Sequence, residues 1–298
     1  MKVLEGKQGW LFIDNDTNRV IEQHTGALRL LPEPLDRWRQ LVQRRMRVSE
    51  ALGKPYVFLV APDAHAIYPE LLPDHIVPVP RRPVHDLLDV CKSAGFDNVL
   101  YPLDEMQAGK AVMTVGHSTD SHWSHYGAWC VYLALMEKVR ALCPNVAVLD
   151  PSRILFRPAS KIGDLGAQME PQLNGTTVVS HIDKPKARLV SDNQVKNRGS
   201  IVIYENEDKS LPSALMFRDS YGVWFRHFLA ESFSRLVLVA TPLYEDEIVR
   251  RENPDIVITE MAERFLINVP DDESGEKVDD IIAAKEALET GTSQTTNP

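Results

Sequence analysis

Seven short runs of apolar and β-branched residues, each closed by turn-forming residues and set apart by helical stretches, limit what this chain can become. They lie at Tyr56 to Val60, Val99 to Leu103, Val146 to Leu149, Ile201 to Tyr204, Ala214 to Phe217, Leu236 to Ala240 and Asp255 to Thr259. Apolar residues recur every three or four positions over Leu35 to Leu52, Val84 to Ala94, Tyr126 to Leu142 and Val223 to Phe233, which predicts helices there. Strands alternating with helices predict a doubly wound α/β core around a mostly parallel sheet. With 298 residues and 44% hydrophobic side chains the chain can bury a large core. The net charge of -9 argues against a nucleic-acid partner, because phosphate binding draws on clustered Lys and Arg. Arg37, Arg39, Arg44, Arg45 and Arg47 are the exception, and their mixing with Trp38, Leu41 and Val42 reads as the wet face of an amphipathic helix.

Residues 151–199 break the rhythm, being rich in Gly, Pro, Asn, Asp and Lys, and read as an insertion or long loop system over the sheet edge within one domain spanning residues 1–270. Beyond Pro270 the sequence turns acidic and then rich in Ser and Thr, which predicts a disordered tail over 271–298 with a short helix near Asp279 to Glu289. Cys91, Cys130 and Cys143 show no C-x-x-C spacing and read as free thiols. No apolar run is long enough to span a bilayer, and Met1 to Trp10 has no signal core. As written, the chain is expected in the cytoplasm.

Two segments carry the residue types of acyl chemistry. Ala214 to Phe217 is an apolar run leading through Arg218, Asp219, Ser220 and Tyr221 to Gly222, where a helix is expected to start. A serine at such a strand end is fixed by the strand, and N–H groups at the following helix start can face an oxyanion. Ser220 could equally be a helix N-cap. The second segment, Thr114 to Ala128, concentrates polar residues before a helix, with Asp120 two residues ahead of His122, the spacing of an acid that turns back on its general base. His117, His122 and His125 also invite a metal reading, but they lack the i, i+4 pair or added Cys/Glu pattern of a zinc site, so neither metal nor cofactor is expected. A capped polar loop without chemistry is the remaining alternative.

The stretch Asp120-Ser-His-Trp-Ser-His-Tyr-Gly-Ala128 resembles the D-x-H-W…G-A signature of the alginate O-acetyltransferase (AlgX/AlgJ-type) SGNH-hydrolase-like family. Further segments agree in order: Gly6-Lys-Gln-Gly-Trp-Leu-Phe12, Val60-Ala-Pro-Asp63, Ile67-Tyr-Pro-Glu-Leu-Leu-Pro73, Gly163-Asp-Leu165, Phe217-Arg-Asp-Ser-Tyr-Gly222, and the stretch from Pro254 to Arg264. The resemblance implies a three-layer α/β/α fold of SGNH-hydrolase type and a triad of Ser220 as nucleophile, His122 as base and Asp120 as orienting acid. Asp120 and His122 precede Ser220, so it implies a permuted order of the motifs, which a triad tolerates because geometry defines it. It further implies acetyl transfer to a glycan hydroxyl, an acetyl donor supplied by a membrane-bound acyltransferase partner, and a periplasmic setting if an export segment is missing from this sequence. Where the family often carries a Lys before the I-Y-P-E stretch, this chain has Asp63-Ala-His65.

On this reading the oxyanion is met by the Ser220 N–H together with Tyr221 or Arg218, and Trp123 either stacks on sugar or packs as core. Tyr126 and Trp129 are expected to be core. Two other outcomes share the same residues: a carbohydrate acetyl-esterase, if water takes the acyl group, or a catalytically silent carbohydrate-binding scaffold of an acetylation complex.

Overall fold

The computed structural model describes residues 2–293, with side chains to residue 288. Its strands are β1 (Val3–Glu5), β2 (Leu11–Ile13), β3 (Tyr56–Ala61), β4 (Val99–Leu100), β5 (Ile154–Ile162), β6 (Asn174–Ile182), β7 (Ala187–Asp192), β8 (Ile201–Asn206), β9 (Ser213–Arg218), β10 (Arg235–Ala240) and β11 (Ile256–Ala262). The helices are α1 (Val20–Thr25), α2 (Pro32–Leu52), α3 (Ala64–Ile67), α4 (Pro83–Ser93), α5 (Leu103–Lys110), α6 (His125–Leu142), α7 (Gly222–Ala230), α8 (Asp246–Glu252) and α9 (Val278–Ser293).

Side-chain alternation along the central strands decides the layering. Val57, Leu59 and Ala61 of β3 enter one apolar core with Met216, Leu238 and Ile258, while Tyr56, Phe58 and Val60 enter the other with Phe217, Val239 and Val257. The first core is closed by α6 and α7 through Val131, Leu135, Phe225 and Phe228. The second is closed by α2, α4 and α8 through Trp38, Leu41, Leu87 and Ile248. Burial on both faces is why these strands read as unbroken apolar runs. The sheet order is β4-β3-β11-β9-β10-β8-β7, parallel from β4 to β10, with β8 and β7 added antiparallel. The three-layer, mostly parallel α/β arrangement matches the expectation.

Several sequence expectations are corrected. Residues 151–199 are not a loop system: β5 and β6 form an antiparallel ribbon, and β7 pairs with β8 as the edge of the main sheet. Their exposed positions mix Arg157, Ser160 and Lys161 with Leu155, Ile162, Leu189 and Val190, so no clean alternation marks the strands. Val146 to Leu149 forms no strand, because the Leu149 N–H is taken by the Tyr132 hydroxyl (2.7 Å) and the segment packs against α6. The strand at Val99 stops at Leu100, since Pro102 lacks an N–H and leads into α5.

The described part of the tail is ordered, which corrects the expected disorder, while α9 (Val278–Ser293) meets the short helix expected near Asp279 to Glu289. The Asp272 side chain is fully buried and accepts from Arg45 Nε and Nη2, each at 2.9 Å, and from the Tyr244 N–H at 2.9 Å. The buried Val278 and Ile281 seat α9. Arg45 therefore leaves the wet face of α2 that Arg37, Arg39 and Arg47 keep. Residues 294–298 of the expected tail lie outside the described residues.

Candidate active site

The parallel strand β9 ends at Arg218, α7 begins at Gly222, and Ser220 sits in the turn between them, beyond the C-terminal end of a central strand where open α/β sheets bind ligands. Ser220 is not the N-cap of α7, a position Tyr221 occupies without a side-chain bond. The Ser220 hydroxyl instead lies 2.7 Å from His122 Nε2.

His122 comes from the loop before α6. That loop is fixed by backbone pairing of Gly116 with Trp123 and of Ser118 with Leu11 and Thr176. Ser124 caps α6 by accepting from the Gly127 N–H at 3.1 Å. Within this frame Asp120 Oδ1 lies 2.7 Å from His122 Nδ1 and accepts the His122 backbone N–H at 2.9 Å, while its Oδ2 accepts the Asp164 N–H at 2.9 Å. Burial pushes the Asp120 carboxyl up, but the bonds and charge of His122 with the two backbone N–H groups outweigh it and hold the acid down to about 2. An ionised Asp120 only accepts, so the imidazole proton sits on Nδ1 and Nε2 is left to accept from Ser220.

Asp164, in the Gly163-Asp-Leu165 segment, braces this loop and is one residue that the sequence expectations miss. Its carboxylate accepts the Ser121 N–H (2.7 Å) and hydroxyl (2.5 Å), so it locks the peptide between the acid and the base. Gly163 permits the approach, since a Cβ there would stand 2.2 Å from Thr119 O. Trp224 is the second residue missed, its half-buried ring centred 5.6 Å from that of His122.

The other sequence candidates separate. Tyr221 is buried, its N–H donates to Asp219 Oδ1 (2.8 Å) and its hydroxyl donates to Ser121 O, so both donors expected to face the oxyanion are taken. Its ring lies 4.8 Å from that of His122, as a floor for the base. Trp123 is 1% exposed and packs edge-on against Tyr221 and Phe225, the core packing that was one of its two expected outcomes. Trp129 is buried, and the half-buried Tyr126 packs on Phe156. Arg218 borders a recess of about 870 Å³ whose walls include Ser220, Val202, Val223, Met261 and Phe265. Its Nε is buried without a hydrogen-bond partner, and burial lowers its affinity for a proton.

The three histidines of the 114–128 segment do not converge. His117 Nδ1 accepts the Thr119 N–H at 3.3 Å, His122 joins Asp120 and Ser220, and His125 meets Ser180 Oγ at 2.9 Å. Ligating atoms of Asp120, His122 and Asp164 do lie within 4.8 Å of one another, but each already serves a hydrogen bond of the triad or its loop. A buried group of His24, Asp63 and Glu263 has its carboxylates neutralised by Arg264 and Arg82.

The fold defines the class: an SGNH-hydrolase-like α/β protein, here with Asp120 and His122 ahead of Ser220 along the chain. A family model described as SGNH hydrolase-like domain, acetyltransferase AlgX, matches residues 3–241, and the chain belongs to that family. Among solved structures, the O-acetyltransferase domain of Pseudomonas putida AlgJ is similar at 19% identity and TM-score 0.59, over 95% of this chain and 98% of that one. Bacillus cereus PatB1 is similar at 12% identity and TM-score 0.67, over 89% and 97%. Pseudomonas aeruginosa AlgX gives 12% and 0.50, over 93% and 69%. At these identities the likeness shows the fold. Comparison with curated proteins finds no match.

Proposed function

We propose that the protein moves an acetyl group onto a sugar hydroxyl of a polysaccharide through an acyl-enzyme at Ser220. The observation that carries this reading is the 2.7 Å approach of His122 Nε2 to Ser220 Oγ, with His122 Nδ1 held by Asp120 on its other side. As Oγ attacks the acetyl carbonyl, its proton passes to Nε2. The Oγ–C bond forms, the bond to the leaving group breaks, and the imidazolium gives its proton to that group. In the return half the acceptor hydroxyl loses its proton to His122 and attacks the same carbon, and as the Oγ–C bond breaks the imidazolium returns that proton to Ser220 Oγ. The Ser220 N–H has no acceptor among the described residues, which supports it as an oxyanion donor, with Arg218 beside it as the second.

Family membership supports acetyl as the group moved and a glycan as the acceptor. It also supports a periplasmic setting, with the donor delivered by a membrane-bound acyltransferase partner; no described helix is long and apolar enough to cross a membrane. The test is turnover of p-nitrophenyl acetate with and without an oligosaccharide acceptor. Ser220→Ala and His122→Ala are expected to lower kcat by roughly 10³-fold or more. Acetylated oligosaccharide in excess of free acetate identifies the transferase, and acetate alone the esterase. An inert wild type, or a Ser220→Ala variant as fast as wild type, refutes the triad.

A further inference from the structure

Glu260 stands on β11, beside the nucleophile's turn, and is 2% exposed. Its Oε2 accepts the N–H of Asp219 and the N–H of Gly222, both at 3.1 Å, which are the groups just before and just after the Ser220-Tyr221 pair. The neighbouring Asp219 carboxylate accepts the Tyr221 N–H at 2.8 Å and the Ala262 N–H at 2.7 Å. Of the four consecutive N–H groups from Asp219 to Gly222, these two side chains occupy three, and the one without an acceptor among the described residues belongs to Ser220. Gly222 makes the close approach possible, because a Cβ there would meet Arg218 Cβ and Cδ at 2.8 Å and Glu260 Oε2 at 3.1 Å.

We propose that Glu260 is a positioning residue for Ser220, its carboxyl gripping the turn on both sides of the nucleophile so that the Ser220 N–H alone is left for substrate. The inference rests on the acyl-enzyme reading above. Burial first, then the charge of Asp219 and a hydrogen bond shared with it, push the Glu260 carboxyl well above its ordinary range. Oε2 is taken by the two N–H donors, and Oε1 is buried with no hydrogen-bond partner among the described residues. A glutamine keeps the acceptor, its carbonyl oxygen taking the same two N–H groups. An alanine removes it and frees Asp219 and Gly222 to turn their N–H groups elsewhere.

The experiment compares wild type, Glu260→Gln and Glu260→Ala by p-nitrophenyl acetate kinetics and by the rate at which phenylmethylsulfonyl fluoride labels Ser220, located by peptide mass. The sulfonylation needs the nucleophile and its oxyanion donor but no glycan. Glu260→Gln is expected within about threefold of wild type in both. Glu260→Ala is expected to lose on the order of 10²-fold in kcat and in labelling rate with KM within about twofold, the size of effect seen when one oxyanion donor is misplaced. Thermal melting of each variant separates folded protein from unfolded. A folded Glu260→Ala labelled as fast as wild type overturns the inference alone, as does a Glu260→Gln variant as impaired as Glu260→Ala. A wild type that is never labelled at Ser220 overturns the triad reading and this inference with it.

Discussion

Asp120→Asn changes one atom and tests the electrostatics of the site most directly. Asp120 Oδ1 serves both the His122 N–H and His122 Nδ1, and Oδ2 serves the Asp164 N–H. An asparagine has one acceptor oxygen for these two sides. If its NH₂ faces Asp164, two donors confront each other. If it faces His122, the His122 N–H loses its acceptor and Nδ1 must become the acceptor, which moves the imidazole proton to Nε2 and abolishes the base. A wrong tautomer in a serine triad costs about 10³ to 10⁴ in kcat, or roughly 4–5.5 kcal/mol of transition-state stabilisation. There is a stability component of opposite experimental signature. Asp120 is held down from 3.8 to about 2, and at 1.36 kcal/mol per unit this is about 2 kcal/mol. A carboxyl lowered by folding stabilises above its unfolded pKa, so this contribution is full above about pH 4 and lost as the pH falls through about 2. Initial rates on p-nitrophenyl acetate at pH 7.5, together with urea unfolding at pH 7 and pH 2.5, read both parts. The variant is expected to be less stable than wild type at pH 7 and to approach it at pH 2.5. A variant with kcat within tenfold of wild type, or a stability gap that widens in acid, would refute the reasoning.

Asp272→Ala leaves the Arg45 guanidinium buried without its carboxylate, and removing one partner of such a pair costs roughly 3–5 kcal/mol. The urea midpoint at unchanged slope measures it, and a loss below about 1 kcal/mol would mean that residues 271–293 are not part of the cooperative unit. His125 and His227 are pulled down to about 4 and about 3, by burial before any charge effect, and meet across Ser180 Oγ at 2.9 Å each. The unfolded chain takes these protons first, so stability falls as the pH drops below about 6.5 toward 4, a window separate from that of Asp120. The double variant His125→Gln/His227→Gln is expected to show a flatter urea midpoint between pH 7 and pH 4.5, and an unchanged slope would exclude the pair as its source.

What was legible in the sequence follows from burial. The strands β3, β9, β10 and β11 are covered on both faces and announce themselves as apolar runs, and Ser220, Asp120 and His122 stand at element ends where local spacing shows them. By contrast β7 has one half-buried residue followed by five exposed ones, so no alternation marks it. Asp164 and Glu260 act through bonds to residues some forty positions away, at Ser121 and Asp219, and no local pattern encodes such a pairing. Both lie inside segments that resemble the family, Gly163-Asp-Leu165 and the stretch from Pro254 to Arg264, but resemblance marks a segment and not the atom that matters. The ordered tail was hidden for another reason. Its acidic composition predicts solvation, and the one buried carboxylate, Asp272, is indistinguishable in sequence from its exposed neighbours Asp271 and Glu273.

The seating of α9 bears on when the site comes into being. Lys285 Nζ donates to Lys196 O at 2.6 Å and to Arg198 O at 2.7 Å, and those residues wall the recess beside Ser220. A chain made from its N-terminus has Asp120, His122 and Ser220 well before it has the lysine that fixes this wall. Ser220 is thus in place before its surroundings are finished, and the shape of the recess beside it depends on a segment made later.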